Sequence, residues 1–136
     1  RLMQMGIPSF NIASSVLLIM AQRLARRLCE YCKREDTLPP EVLLNAGFKE
    51  SDLDGFTLFR PVGCDRCVKG YQGRVGLFQV MPISEEINHI ILAGGDVIQL
   101  TRQAEREGIC NLRESGLKKV KAGLTSLEEV ERVTKD

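Results

Sequence analysis

Two pairs of cysteines have the spacing at which proteins commonly hold a metal ion. Cys29 and Cys32 form one Cys-x-x-Cys segment, and Cys64 and Cys67 form a second. A tight turn of this length lets two thiolates reach the same ion, and two such turns complete the tetrahedral four-cysteine site typical of structural zinc. The sequence therefore predicts that these four cysteines bind Zn²⁺.

The stretch between the two pairs, residues 33–63, is longer than the usual spacer of a zinc ribbon. Doubling the length of a flexible loop raises its closure entropy by only about 0.6 kcal/mol. A structural zinc contributes on the order of 10 kcal/mol in small peptides. The long spacer is therefore compatible with a shared metal.

The residues around the cysteines suit a negatively charged centre. Four thiolates around Zn²⁺ carry a net charge of about −2, which calls for cationic neighbours or amide donors. Gly63 and Gly70 flank the second pair at positions where the chain can fold its amides back onto sulfur without a Cβ in the way. Basic residues that could balance the charge flank both pairs: Arg26, Arg27, Lys33, Arg34, Arg66 and Lys69.

Redox chemistry and disulfide formation are two other possible uses of these cysteines. A thioredoxin-like redox site needs a strand before the first cysteine and a helix after it, and one pair would suffice. Disulfides would require an exported chain, but no signal peptide is visible and Cys110 makes the number of cysteines odd. We therefore expect a reducing, cytoplasmic setting, with Cys110 as a small core residue between Ile109 and Leu112.

Composition limits the size and the partners of the protein. The 136 residues, 43% of them hydrophobic, are enough for one core, or for one core with a small metal-bound lobe. The net charge of +1 provides no overall field for nucleic acid or anionic membrane. Only residues 23–34 are locally basic, and a free-standing zinc-binding adapter that contacts nucleic acid there is the alternative function. The longest apolar stretch, residues 16–21, is far shorter than the roughly 20 residues of a membrane span.

The first 81 residues are predicted to mix helices with short strands. Ser9 is expected to cap a helix that runs to about Gln22, and residues 22–28 are expected to form a short strand into the first cysteine pair. Residues 33–54 are interpreted as a peripheral insertion with a helix over 41–46. Strands over 56–60 and 74–81 are predicted to pair, with the second cysteine turn between them.

The remainder is predicted to be helical from Ser84 onward. Ser84, Asp96 and Asn111 begin successive helices, and Thr125 with Glu128 resembles a capping box for the last one. The fold class is thus α+β. The predicted organisation is the tail of a larger core over 1–28, a metal-binding lobe over 29–81 that includes the insertion, and a C-terminal helical subdomain over 82–136.

Two features could suggest catalysis, and neither supports it. Gly70, Gly73 and Gly76 have the spacing of a phosphate loop, but they open a strand, whereas a dinucleotide loop opens a helix. The 136 residues contain no GxxxxGK[ST] segment, so this chain is not expected to hydrolyse ATP and has no predicted catalytic or nucleotide-binding residue. His89 is interpreted as an ordinary helix residue.

Several segments together resemble the secretion ATPases that drive type II secretion and type IV pilus assembly. The resemblance is to the C-terminal part of those proteins, covers nearly the whole chain, and is closest to the branch that extends type IV pili. The segments are 5–6, 12–15, 21–29, 59–67, 70–76 and 123–130.

The resemblance implies a cytoplasmic, hexameric, RecA-like motor that moves a platform protein of the inner membrane and is held at that membrane through its partners. The catalytic segments of the family, with their ATP and Mg²⁺, would lie upstream of Arg1, so this chain would be a non-catalytic, force-transmitting module that binds no nucleic acid. The four cysteines match the family's tetracysteine zinc motif. Gln22 and Arg23, where the chain would leave the core, are candidates for a contact with nucleotide or a neighbouring subunit.

Overall fold

Helices and two small sheets alternate along residues 1–135, which are the residues that this computed structural model describes. The order is α1 (Ser9–Ser15), β1 (Leu18–Leu28), β2 (Arg34–Asp36), α2 (Pro40–Ala46), a 3₁₀ turn (Glu50–Asp52), β3 (Leu58–Arg60), β4 (Tyr71–Pro82), α3 (Glu85–Leu92), α4 (Val97–Arg106), α5 (Leu112–Lys121) and α6 (Leu127–Thr134). The mixed α and β composition agrees with the predicted fold class.

The strands pair differently from the sequence-based prediction. β1 pairs with β4, and β2 pairs antiparallel with β3, with Arg34 opposite Arg60 and Asp36 opposite Leu58. The predicted pairing of β3 with β4 is therefore wrong. The physical reason is the gathering of the cysteine turns: because Cys32 and Cys64 lie close together, the chain after the first turn runs beside the chain before the second.

The predicted helix from Ser9 to Gln22 is too long. α1 ends at Ser15, Val16 is already extended, and β1 begins at Leu18. The predicted short strand over 22–28 is the second half of β1. A short apolar run such as residues 16–21 does not distinguish a buried strand from a buried helix by its periodicity, and here the strand forms. The N-cap position is Pro8, not Ser9.

The chain forms two compact units, each made of two segments. Unit 1 comprises Arg1–Ala21 and Gln79–Cys110, and unit 2 comprises Gln22–Phe78 and the chain from Asn111 onward. These units differ from the contiguous segments 1–28, 29–81 and 82–136 expected from the sequence. In unit 1, α1 packs on α3 and α3 on α4 around a core of Ile12, Ile87 and Ile91.

The core of unit 2 includes the stretch that was predicted to be peripheral. Leu43, Ala46 and Phe48 pack with Leu117, Val120 and Val130 of α5 and α6, so the interpretation of residues 33–54 as peripheral is wrong. Gly47 makes this packing possible. It ends α2 with a φ of +119°, and the following turn directs Phe48 inward, where its ring stacks on Phe56 with 5.0 Å between centroids.

Most helix starts agree with prediction. Ser84, Asp96 and Asn111 accept hydrogen bonds from backbone amides three residues further along, at 3.2, 2.9 and 2.7 Å. The last helix does not follow the predicted cap. Ser126 caps α6 by accepting from the amide of Glu129 at 3.1 Å, one residue later than the predicted pair of Thr125 and Glu128.

Candidate metal centre

The fold brings the four predicted metal ligands together. The Sγ atoms of Cys29, Cys32, Cys64 and Cys67 all lie within 4.8 Å of one another. Cys29 and Cys64 are 3.8 Å apart, Cys32 and Cys67 are 3.7 Å apart, and Cys64 and Cys67 are 3.6 Å apart. A tetrahedral ion with bonds of about 2.3 Å to sulfur separates its ligands by about 3.8 Å. The cluster therefore fits a tetrahedral thiolate-bound metal such as Zn²⁺.

Backbone hydrogen bonds position the two cysteine turns. Cys29 directly follows β1, and its carbonyl accepts from the Lys33 amide at 3.0 Å, which closes the first turn. The Cys29 amide donates to the Gly70 carbonyl at 3.0 Å and so joins the first turn to the start of β4. Pairing of β2 with β3 joins the chain that follows the first turn to the chain that precedes the second. The first pair is buried and the second is half-buried.

Amide groups point at three of the sulfur atoms. The Gly63 amide donates to Cys32 Sγ at 3.3 Å, the Cys64 amide to Cys67 Sγ at 3.3 Å, and the Arg66 amide to Cys64 Sγ at 3.4 Å. Donors in this arrangement stabilise thiolate charge and orient the sulfur atoms toward a shared ion. The prediction that the chain around Gly63 folds its amides onto sulfur is confirmed.

The thiols of the second pair influence each other's protonation. The Arg66 amide lowers the pKa of Cys64, but burial and the neighbouring sulfur atoms outweigh it and raise that pKa to about 12. Burial opposes ionisation of Cys67, yet hydrogen bonds from backbone amides and from the Cys64 thiol lower its pKa to about 7. The Cys64 thiol thus favours ionisation of Cys67 by donating a hydrogen bond to its sulfur. Four thiolates this close together require a cation, and a metal would displace the remaining protons.

The basic residues near the cysteines contact groups other than sulfur. Arg66 lies over the Tyr31 ring at 4.5 Å and so links the second turn to the first. Lys33 lies over the Phe59 ring at 4.5 Å and donates to the Gly123 carbonyl at 2.9 Å. Arg27 pairs with Glu30 at 3.1 Å. Direct hydrogen bonds to the sulfur atoms come instead from the backbone.

A second polar cluster, which the sequence did not indicate, fastens the end of β1 to α6. The Glu129 side chain is only 1% exposed. Its carboxylate accepts from the Arg26 amide at 2.7 Å, from the Arg26 guanidinium at 2.8 Å, and from Arg132 at 2.6 and 3.0 Å. Burial alone would raise the pKa of Glu129, but these donors lower it to about 2. The carboxylate is therefore charged at neutral pH.

Two further contacts complete this Glu129 cluster. Arg26 lies over the Tyr71 ring at 4.3 Å, and the Tyr71 hydroxyl is 2.7 Å from the Ser126 hydroxyl. Thr125 donates its hydroxyl to the Arg26 carbonyl at 2.8 Å. Arg26 and Glu129 are separated by 103 positions. The only sequence signal was that these residues, except Arg132, fall within the segments that carry the family resemblance.

Arg23, His89 and Cys110 lie outside both clusters. The exposed Arg23 side chain donates to the Gln22 carbonyl at 2.9 Å. His89 is on α3, and Cys110 follows α4; both belong to unit 1. Gly70 directly precedes β4 and Gly73 lies near the start of that strand, so the interpretation of the glycine motif as a turn into a strand is confirmed. Across residues 1–135, the helices are too short or too polar to span a bilayer.

Comparison with known proteins gives a consistent result. The family model described as "Type II/IV secretion system protein" matches residues 1–132. A type IV pilus assembly ATPase, PilB, from Pseudomonas aeruginosa is 52% identical over 136 residues, which are 100% of this chain and 24% of that protein. PilB from Acinetobacter baylyi is 52% identical over 138 residues, again 100% of this chain and 24% of that protein. Type II secretion system protein E from Dickeya dadantii is 36% identical over 137 residues, 100% of this chain and 26% of that protein. The chain thus spans about a quarter of the length of these relatives.

Proposed function

This chain belongs to the type II/IV secretion system protein family, and we propose that it is a zinc-bound, non-catalytic module of a hexameric ATPase that powers type IV pilus assembly. The observation that carries the proposal is the 52% identity over the whole chain to proteins named type IV pilus assembly ATPase. The corresponding module of a type II secretion ATPase is the second candidate, supported by relatives at 36% identity. The higher identity favours the pilus motor. The position of these 136 residues along the parent chain stays a prediction.

Zinc is the metal we propose for the cysteine cluster. Four thiolate ligands select a soft or borderline ion, and three sulfur–sulfur separations of 3.6 to 3.8 Å suit the tetrahedral coordination of Zn²⁺. A site closed by four cysteines has no open position for water or substrate. When bound, zinc would cross-link two distant chain segments, and the chemistry of ATP would belong to Mg²⁺ and to other parts of the parent protein.

The proposed mechanical role rests on how firmly the metal turns are joined to the rest of unit 2. The Leu28 amide donates to the Leu124 carbonyl at 2.8 Å, beside the contacts of Arg26 with Thr125 and Glu129. Strand β1, the first cysteine turn and α6 are therefore held together at several points. Such a unit is suited to move as a rigid body and to transmit motion to a neighbouring subunit or to a membrane platform protein.

Unit 1 has features that support its being part of a larger core in the parent protein. Leu18, Ile19 and Met20 are consecutive residues of β1, so their side chains alternate between the two faces of the strand, and all three are exposed. The preceding Leu17 is 84% exposed. Strands that are apolar on both faces are typical of sheets covered on both sides. We propose that other parts of the parent chain, in a RecA-like core, cover these residues.

The basic run over residues 23–34 gives little support to a nucleic-acid adapter. Arg26 and Arg27 form ion pairs with carboxylates, and Lys33 is engaged by a carbonyl and an aromatic ring. Phosphate contacts would require these cations to exchange partners. A protein partner is therefore the more economical proposal for this surface.

Serine substitution of one ligand in the complete motor tests the proposal. We expect Cys64→Ser to lose most bound zinc and to impair hexamer stability or pilus extension, while nucleotide binding is largely retained. Cys110→Ser is the matched control because Cys110 is not part of the cluster. Zinc content, sedimentation, nucleotide titration and pilus counts measure these effects. Normal hexamers and normal pilus extension by a Cys64→Ser protein would contradict the mechanical role, and full zinc content would contradict the ligand set.

A further inference from the structure

We infer that Gly70 is a positioning residue of the metal centre, because its main chain holds the two cysteine turns together at a distance that no side chain permits. The inference rests on the metal binding proposed above. It assigns to Gly70 a role in metal affinity separate from the general need for glycine in a turn. Gly70 is buried and lies three residues after Cys67.

Gly70 occupies the second position of a tight hairpin turn. Val68 and Tyr71 exchange hydrogen bonds in both directions, at 2.9 and 3.0 Å, and the two residues between them have φ values of +53° at Lys69 and +91° at Gly70. Positive φ at both central residues is the signature of a type I′ turn, in which glycine is preferred at the second position. The turn returns the chain from Cys67 into β4.

The main chain of Gly70 contacts both halves of the metal centre. Its carbonyl accepts from the Cys29 amide of the first turn at 3.0 Å. Pro61 and Val62, which lead into the second turn, lie beside it. Gly70 is thus hydrogen-bonded to the first turn and lies against the segment that leads into the second, so a displacement of its backbone changes the separation of the pairs.

The space around Gly70 leaves no room for a Cβ. A methyl group there would lie 2.5 Å from Pro61 Cβ, 2.9 Å from Pro61 Cα and 2.8 Å from the Val62 nitrogen. Two of these are backbone atoms, which cannot move aside by changing rotamer. The contacted segment leads directly into Gly63, whose amide donates to Cys32 Sγ, and then into Cys64. Pushing the segment away would displace a sulfur ligand and an amide donor together.

Two neighbouring glycines have a positive φ without the steric clash found at Gly70, so they allow the clash to be distinguished from backbone strain. Gly73 has a φ of +77°, but a Cβ there meets nothing within 4 Å. Gly63 has a φ of +117°, and the nearest atom to its Cβ is the Gly70 nitrogen at 4.0 Å. All three positions disfavour alanine to some degree because of their positive φ. Only Gly70 combines that strain with a backbone clash at the metal centre.

The experiment compares Gly70→Ala, Gly63→Ala and Gly73→Ala in the complete parent protein. Zinc affinity is measured by competition with a chromophoric chelator, and the ligand field by the absorption spectrum of the Co²⁺-substituted protein. We expect Gly70→Ala to bind zinc at least about tenfold more weakly than Gly73→Ala, with Gly63→Ala between them. The Co²⁺ spectrum of Gly70→Ala should show reduced thiolate charge-transfer intensity, whereas that of Gly73→Ala should match the wild type.

Equal zinc affinity and unchanged Co²⁺ spectra for Gly70→Ala and Gly73→Ala would overturn the inference. If the wild-type protein itself binds no zinc, the proposed function fails instead, so the two failures are distinguishable. Should Gly70→Ala not fold, the double variant Pro61→Gly with Gly70→Ala is examined, because it removes the nearest atom and loosens the opposing backbone. That variant should regain part of the zinc binding, and no gain over Gly70→Ala would also overturn the inference.

Discussion

The metal centre and the Glu129 cluster both hold the end of β1, but they do so with different chemistry. In the metal centre, four cysteine sulfur atoms converge, and as thiolates they would repel one another more than the three backbone amides could offset. In the Glu129 cluster, one buried carboxylate is matched by two guanidinium groups and a backbone amide. The first arrangement depends on an added cation, whereas the second is complete within the chain. They should therefore fail under different conditions.

Metal removal should have the largest effect. Stripping zinc with a chelator is expected to remove a large part of the roughly 10 kcal/mol that structural zinc contributes in small peptides. Because α5 and α6 share the core of unit 2 with residues 43–48, loss of hydrogen-exchange protection should extend to both helices. Protection of α3, in the core of unit 1, is the internal reference. Unchanged protection of α5 and α6 after complete removal of zinc would contradict this prediction.

Neutralising the buried carboxylate should have a smaller but clear effect. Glu129→Gln weakens several charged hydrogen bonds, and we expect it to lower the free energy of unfolding by about 2 kcal/mol, measured by urea denaturation. Glu128→Gln is the matched control, since Glu128 is exposed and also lies in the first turn of α6. Zinc content should remain normal in both variants. Equal stabilities of the two variants would show that the Glu129 cluster contributes little.

The pH dependence of this difference tests the charge on Glu129. The pKa of Glu129 is lowered from 4.5 to about 2 on folding, so its stabilising contribution is complete above pH 4.5 and is lost as the pH falls toward 2. Acid also weakens metal binding, but it does so in both proteins. The stability gap between wild type and Glu129→Gln should therefore be constant from neutral pH to about pH 5 and narrow below it. If the stability difference between wild type and Glu129→Gln grew as the pH fell, the predicted direction of the pH dependence would be wrong.

The smallest predicted effect concerns the outer part of the Glu129 cluster. Tyr71→Phe removes the hydroxyl that lies 2.7 Å from Ser126 and should lower the free energy of unfolding by about 1 kcal/mol. Tyr31→Phe removes the same group from a ring that is 64% exposed, and should be nearly neutral. Thermal denaturation at fixed zinc concentration compares the two. A larger loss of unfolding free energy for Tyr31→Phe than for Tyr71→Phe would contradict this prediction, because it would show that the Tyr31 hydroxyl contributes more to stability.

The difference between the two regions also explains which one was predictable. The predicted metal ligands occur in pairs three residues apart, and the pairing of thiols in one turn is a local property that spacing reveals. The Glu129 cluster joins residues 103 positions apart, each of a common type. Arg26 and Glu129 have no local feature that identifies them as partners. The family resemblance identified the segments that contain Arg26 and Glu129, but it did not indicate that these two residues are in contact.

The same distinction between local and distant contacts applies to the helix caps. Ser84, Asp96 and Asn111 were recognisable as helix caps because each bonds an amide three residues away. The cap of α6 was misplaced by one residue because both Thr125 and Ser126 are suitable. Only the tertiary structure decides between them, since the Thr125 hydroxyl is used by the Arg26 carbonyl.

The amino-acid sequence by itself therefore determined the two cysteine turns, most helix starts and the glycine turn, because each depends on atoms a few residues apart. The tertiary structure decided the pairing of β1 with β4 and of β2 with β3, the burial of Leu43, Ala46 and Phe48, and the Arg26 to Glu129 contact. These features depend on which distant segments meet. That choice depends on the free energy of the whole packed chain, which a short stretch of sequence does not reveal.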